Sequence, residues 1–171
     1  MASIPKAVNP ALDASGANSH INQSDPNVWF LAGTLGGFAE RYCRIPLGKA
    51  IFFPIINIEA SFNDTEVSNE RQLISFTENH IDNIDVSGIQ VKVDNRVIDN
   101  IDRYRTSTPV FDLNFVESNI LNAKVGLSKT ASDGYWLFLR PLCRGLHTLF
   151  FSGSCLSGKI RIGARYVCDI N

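Results

Sequence analysis

A chain of 171 residues, 44% of them apolar and 19% charged, is long enough to close one hydrophobic core without a metal or disulfide staple, and too apolar for wholesale disorder. Its 16 basic and 17 acidic side chains leave a net charge of −1, so the balance offers no electrostatic case for a nucleic-acid partner. No apolar run reaches the ~18 residues a membrane-spanning helix requires, so no membrane span is expected.

The opening stretch, Met1 to Gln23, lacks a hydrophobic segment of signal-peptide length. An extracellular or periplasmic location is expected if such a segment has been removed, and a cytoplasmic one otherwise. Val8 to Asp25 is rich in Asn, Ser, Gly, Ala and Asp. This stretch is therefore read as a loose N-terminal arm or a covering loop, with residues 1–25 taken as the arm and residues 26–171 as a single domain. Val28 to Ala32 forms the first core strand, broken by Gly33, Gly36 and Gly37. Arg41 to Ile45 alternates and ends in a Pro46-Leu47-Gly48-Lys49 turn. Ala50 to Ile58 reads as a buried strand, and Pro54 inside it calls for a bulge or an edge.

The period then changes. Val67, Leu73, Ile74, Thr77, Ile81 and Ile84 recur at spacings near three and four. This predicts one amphipathic helix from about Glu66 to Asp82, with Thr65, Ser68 and Asn69 as candidate caps. Ile89 to Val93 alternates, and Asp94-Asn95 makes a tight turn into Arg96-Val97-Ile98. Short β pieces surround Pro109, and Glu117 to Asp133 reads as a long connection. The last third, from Gly134 to Ile170, is short β-branched and aromatic runs bounded by Gly, Pro and Ser. The sum is mostly β: a two-layer antiparallel β-sandwich, jelly-roll or immunoglobulin-like, with one amphipathic helix; a small β-barrel is the runner-up.

Four cysteines, Cys43, Cys143, Cys155 and Cys168, match no zinc or redox spacing. They are compatible with two bridges, Cys143–Cys155 and Cys43–Cys168, or with four reduced thiols.

Three constellations carry candidate chemistry. Glu59 ends the apolar run and His147 starts the strand after the Pro141 to Gly145 turn; converging, they would form a catalytic acid–base pair. Glu59, Asp64 and Glu66 are hard oxygen ligands close in sequence, suited to calcium, although the helix N-terminus also favours acidic residues without any metal. Trp29, Asn57, Tyr104, Arg105, Tyr135 and Trp136 combine aromatic area with polar groups, as sugars and other amphipathic ligands require. Along Tyr135 to Arg140 both strand faces begin with an aromatic ring, so the second face is also covered, whether by the helix, the arm, a ligand or a partner. Ser152-Gly153-Ser154-Cys155 is not a nucleophile elbow, and no motif names a cofactor.

Trp29-Phe30-Leu31-Ala32-Gly33-Thr34, Ile45 to Lys49, Phe52 to Asn57, Asp133 to Trp136, Pro141-Leu142 and Gly145 to Thr148 together resemble a group of small, often exported microbial proteins with no assigned activity. The resemblance spans most of the chain beyond residue 27 and implies a β-rich fold and an extracellular history. The reading that results is a non-catalytic sandwich that binds a small or carbohydrate-like ligand or a protein partner, with a homo-oligomer compatible. The alternative is a cofactor-free isomerase, cyclase or hydrolase served by Glu59 and His147 in an aromatic-lined pocket.

Overall fold

Alternating apolar and polar side chains build most of the strands, and the turns between them decide which sheet each strand joins. A computed structural model describes residues 1–84, 88–155 and 160–171, with 155 and 160 as backbone only. The chain runs β1 (Val28–Phe30), β2 (Gly37–Ile45), β3 (Ala50–Ser61), α1 (Glu70–Asp82), β4 (Gln90–Val93), β5 (Arg96–Val97), β6 (Arg105–Ser107), β7 (Phe111–Phe115), β8 (Gly126–Leu139), β9 (Gly145–Cys155) and β10 (Ile160–Ile170). The first sheet has the order β1-β3-β8-β6, with β7 also on β8, and the second β2-β10-β9-β4-β5.

The protein is mostly β, with a sandwich-like pair of sheets that do not close into a barrel. The sheets are mixed, since β1 runs parallel to β3 and β2 parallel to β10. The Pro46 to Lys49 turn is the reason for part of this. It carries the chain from β2 in the second sheet to β3 in the first, so it is a corner of the sandwich and not a hairpin within one sheet. Gly48 takes φ +89° there, a conformation that disfavours any residue with a Cβ.

Between the sheets, Phe53 of β3 stacks on Phe151 of β9 at 4.8 Å, and Phe151 faces Tyr166 of β10 at 6.2 Å. Ile45, Ile51, Leu137, Leu149 and Ile170 fill the same core. The helix starts at Glu70, four residues later than the spacing predicts, because Asn69 is the cap and accepts from the Gln72 backbone N–H. Leu73 packs with Ala60 and Ala131 against the first sheet.

Two expectations differ from the structure. The second half of the predicted 117–133 connection is the start of β8, the central strand of the first sheet. Its Ser128, Thr130, Ser132 and Asp133 are buried, so small polar residues stand where a buried strand ordinarily shows an apolar run. The first 25 residues also lie against the body. Ala2, Ile4, Asn9 and Ala11 are buried, Lys6 N–H donates to Ser118 O, and Tyr42 N–H donates to Ser15 O at 2.8 Å.

The cysteines form no bridge among the described side chains. Cys43 and Cys168 are register partners as expected, but remain buried thiols with 3.6 Å between sulfurs. The Cys155 side chain lies outside the described residues. Its strand β9 nevertheless runs extended from Gly145 to Cys155. That separates the backbones at 143 and 155 by about 30 Å, too far for a bridge.

Candidate functional site

The outer face of the first sheet holds the site. Phe52 of β3 pairs with Phe138 of β8, and Pro54 with Trp136, so these four side chains share one face. The register then slips between Pro54 and Ile56, which is the bulge that Pro54 called for. One extra residue inverts the alternation downstream of it. Asn57 pairs with Gly134 and Glu59 with Ser132, and both thereby join the face of Trp136 instead of facing the core. The bulge is what aims Glu59 outward.

That face is roofed. Residues from the first 25, the loop after β1 and the loop before β8 close over it and leave a cavity of about 570 Å³. Its wall includes Ile4, Ala11, Phe30, Phe52, Trp136 and Glu59. The rings are ordered: Trp136 lies parallel to Phe52 at 5.7 Å, and Phe30 meets Phe52 edge-on at 6.1 Å. The Trp136 Nε1–H donates to Thr106 O at 3.2 Å, which fixes the indole. Gln23 fixes the roof to the edge strand, accepting from Phe30 N–H and donating to Phe30 O, each at 2.8 Å.

Glu59 is the ionisable side chain in this mostly apolar wall. Its Oε1 is buried and has no hydrogen-bond partner. Neighbouring donors are engaged elsewhere, with the Ser132 hydroxyl donating to Ile58 O at 2.7 Å and the Ser132 N–H donating to Thr108 Oγ1. Burial pushes the Glu59 carboxyl from 4.5 up to about 7, opposed by the α-amino group of Met1 and reinforced by Asp64. At neutral pH it is therefore poised between acid and carboxylate.

His147 is elsewhere. It opens β9 in the second sheet, bonds Asp94 and Cys143, and does not line the cavity. Asp64 is engaged by the Ser61 N–H and hydroxyl at 2.7 and 2.9 Å, and Glu66 is exposed on the loop before α1. Among the described residues no three His, Cys, Asp or Glu side chains gather to hold a metal ion. Of the aromatic and polar set, Asn57 and Trp136 line the cavity. Trp29 and Tyr135 are core residues, and Tyr104 packs against that core. The Arg105 guanidinium is occupied, donating to Asp133 Oδ2 at 2.7 Å, Asp82 Oδ1 at 2.6 Å and Glu78 O.

Sequence reasoning offered the arm as one candidate cover of this face but missed the cavity beneath it. Asn9 organises the roof, donating to Met1 O and Ile4 O and accepting from Ala11 N–H. The signal that was present is the adjacent pair Tyr135-Trp136 in the second half of β8, which demanded a cover for the outer face. No helix among the described residues is long and apolar enough to cross a membrane. Comparison with known protein families, with curated proteins and with solved structures finds no match.

Proposed function

We propose that this protein is a non-catalytic binding module whose cavity takes one small amphipathic molecule, with an apolar body along Phe52 and Trp136 and a hydrogen-bond donor at Glu59. The observation that carries the reading is the buried, unpartnered Glu59 Oε1 in a cavity whose wall is mostly apolar. A buried acceptor left unsatisfied costs roughly 1–3 kcal/mol, which a ligand hydroxyl or ammonium returns on binding. A volume near 570 Å³ suits a compact ligand of moderate size. A sugar ring meets the same description only if an apolar face lies on the indole, since few polar partners surround the carboxyl.

A second reading rests on a specific observation. A carboxyl brought to about 7 by burial is a competent general acid or base. It makes proton transfer within a bound substrate the alternative, performed by Glu59 without His147.

The test is intrinsic fluorescence, because Trp136 lines the cavity and the other tryptophan, Trp29, is buried in the core. Titration with medium-chain alcohols, medium-chain amines and simple glycosides should change the emission saturably for at least one amphipathic series. Trp136→Phe should abolish the change, and Glu59→Leu should weaken binding by about tenfold. If all three series leave emission and melting temperature unchanged, the binding reading fails. Turnover of a bound compound that is lost in Glu59→Gln would favour proton transfer instead.

A further inference from the structure

A second cluster, remote from the cavity lining, sits where the turn after β8 meets the turn between β4 and β5. The His147 ring Nδ1 lies 2.7 Å from Asp94 Oδ2. Its Nε2 lies 2.9 Å from the Cys143 carbonyl oxygen and 3.6 Å from the Cys143 sulfur. Asp94 is itself fixed, its Oδ1 accepting from Thr148 N–H at 2.9 Å while its own N–H donates to Thr148 O at 2.8 Å. The left-handed φ values of Asp94 and Asn95, +49° and +65°, are those of the tight hairpin turn that presents the carboxylate. The His147 side chain is only 12% exposed, whereas Cys143 is open to solvent.

The hydrogen-bond chemistry of the ring follows from its partners. A carboxylate and a peptide carbonyl both accept and neither donates, so both ring nitrogens must carry a proton to satisfy them. The geometry is that of an imidazolium with a sulfur beside Nε2. This places a positive charge, oriented by a third group, beside the sulfur.

We propose that Cys143, His147 and Asp94 form a surface nucleophilic-thiol site that exchanges with small anionic disulfides. Both ring nitrogens of His147 already carry protons, so Cys143 releases its proton to solvent, and the thiolate, held beside the imidazolium, attacks one sulfur of the disulfide. A Cys143–S–S–R bond forms as the R–S–S–R bond breaks. The departing thiolate leaves with its electron pair and takes a proton from solvent, replacing the one Cys143 released. Cys143 is thus oxidised to a mixed disulfide and half of the reagent is reduced to a thiol, so protons and electrons balance.

Charge selects the partner. Arg140 and Arg144 flank Cys143 in the same turn, both are exposed, and among the described residues neither makes an ion pair. The groups facing His147 are Asp94, Cys143 and, in register on β10, the buried Cys168, with Arg96 near Asp94. The Asp94 bond raises the His147 pKa above its usual value, against burial. Burial works against the Asp94 carboxylate, yet its bonds to His147 and Thr148 hold its pKa below the usual value. Cys43 and Cys168 are buried and do not compete for a dissolved reagent.

The test uses the intact protein, with peptide mapping by mass spectrometry to read Cys143 alone. With glutathione disulfide near pH 6.5, Cys143 should form the mixed disulfide at least about tenfold faster in the native protein than in His147→Gln, with Asp94→Asn between them. The cationic disulfide cystamine should react at least about threefold more slowly than glutathione disulfide, normalised to a free-thiol standard. A measurement without variants guards against a substitution that fails to fold. At about pH 6.5 iodoacetamide should alkylate Cys143 at least about tenfold faster than it alkylates a free-thiol standard. Alkylation in the native protein no faster than that of the standard, or equal exchange in folded His147→Gln, overturns the site. Cystamine reacting as fast as glutathione disulfide overturns the anionic preference.

Discussion

At the scale of single residues, Glu59 concentrates the cost of the cavity. A carboxyl whose pKa is 4.5 when the chain is unfolded and about 7 when folded binds more protons in the native state between those values. Stability is therefore highest below the unfolded value and falls as pH rises through about 7, the opposite of a salt-bridged carboxylate. A shift of this size corresponds to about 3 kcal/mol, a ceiling set by how dry the cavity is. Glu59→Gln keeps the shape and removes the titration. Urea unfolding near pH 5 and near pH 8 should show the native protein losing more stability between the two than the variant, which keeps only the loss that the raised His147 pKa brings, and the variant should be the more stable of the pair at the higher pH. Parallel losses in both proteins would mean that Glu59 is hydrated and the carboxyl is not a desolvated group. A ligand that brings an ammonium to Oε1 should reverse the trend, since it favours the charged form.

At the scale of elements, the bulge in β3 and the glycine opposite it work as one device. A Cβ on Gly134 would overlap the Asn57 side chain and approach Asn57 Cα and Ile56 O at 2.6 Å, all of them on the bulged strand. Neither contact is the far end of a flexible side chain, so the strands must separate to admit a methyl group. Gly134→Ala should destabilise the protein by about 2 kcal/mol and disturb the pairing that carries Glu59, with loss of the tryptophan response to ligand before loss of the fold. Thermal unfolding together with the fluorescence titration reads both; an unaltered response would show that the bulge tolerates a spread pair. The bulge is also where sequence and structure meet best. Pro54 announced it, because a proline within a strand cannot serve a regular ladder. The Asp94-Asn95 hairpin and the core-facing alternation of β4 were equally legible, since each depends on neighbours a few residues apart. The start of β8 was not. Its Ser128, Thr130 and Ser132 are strand residues because β7 pairs with Ser128 and Thr130 and β3 with Thr130 and Ser132, and such partners leave no periodic mark in the strand itself. The cluster at His147 was hidden for the same reason: Asp94 is 53 residues away and is delivered by sheet register, while Cys143 reaches back only through the conformation of its turn.

At the scale of the whole molecule, the site exists because the first 25 residues are held down, and the buried Arg41 does much of that holding. Its side chain is 3% exposed and donates to no carboxylate. It donates instead to the carbonyls of Ala11, Asp13, Ala32 and Gly33 and to the Tyr166 hydroxyl, at 2.7 to 3.2 Å. The guanidinium also lies 5.5 Å from the centre of the Tyr166 ring. Tyr166 passes the contact on by donating to Ala32 O at 2.8 Å, and burial pushes its own pKa up to about 12, so it stays a neutral donor. One side chain thus joins the roof, the loop after β1 and the strand β10. Gly16 adds a close approach, for a Cβ there would overlap the Tyr42 carbonyl. Replacing Arg41 by Met keeps the stem and removes every donor. Several buried carbonyls are then left unsatisfied, at roughly 1–3 kcal/mol each, partly offset because a desolvated charge is also removed. A net loss of about 3 kcal/mol is expected. Its distribution matters more than its size. Amide exchange of Ser15, Ala17 and Asn18, whose N–H groups are held by Asp13 and Ser15 side chains, should accelerate far more than exchange in β9 and β10. Limited proteolysis should cut first between residues 12 and 24, and the cavity response of Trp136 should weaken in step with that cleavage. If exchange instead accelerates evenly across both sheets, the roof and the sandwich are one cooperative unit, and ligand entry must use an opening that leaves the roof in place.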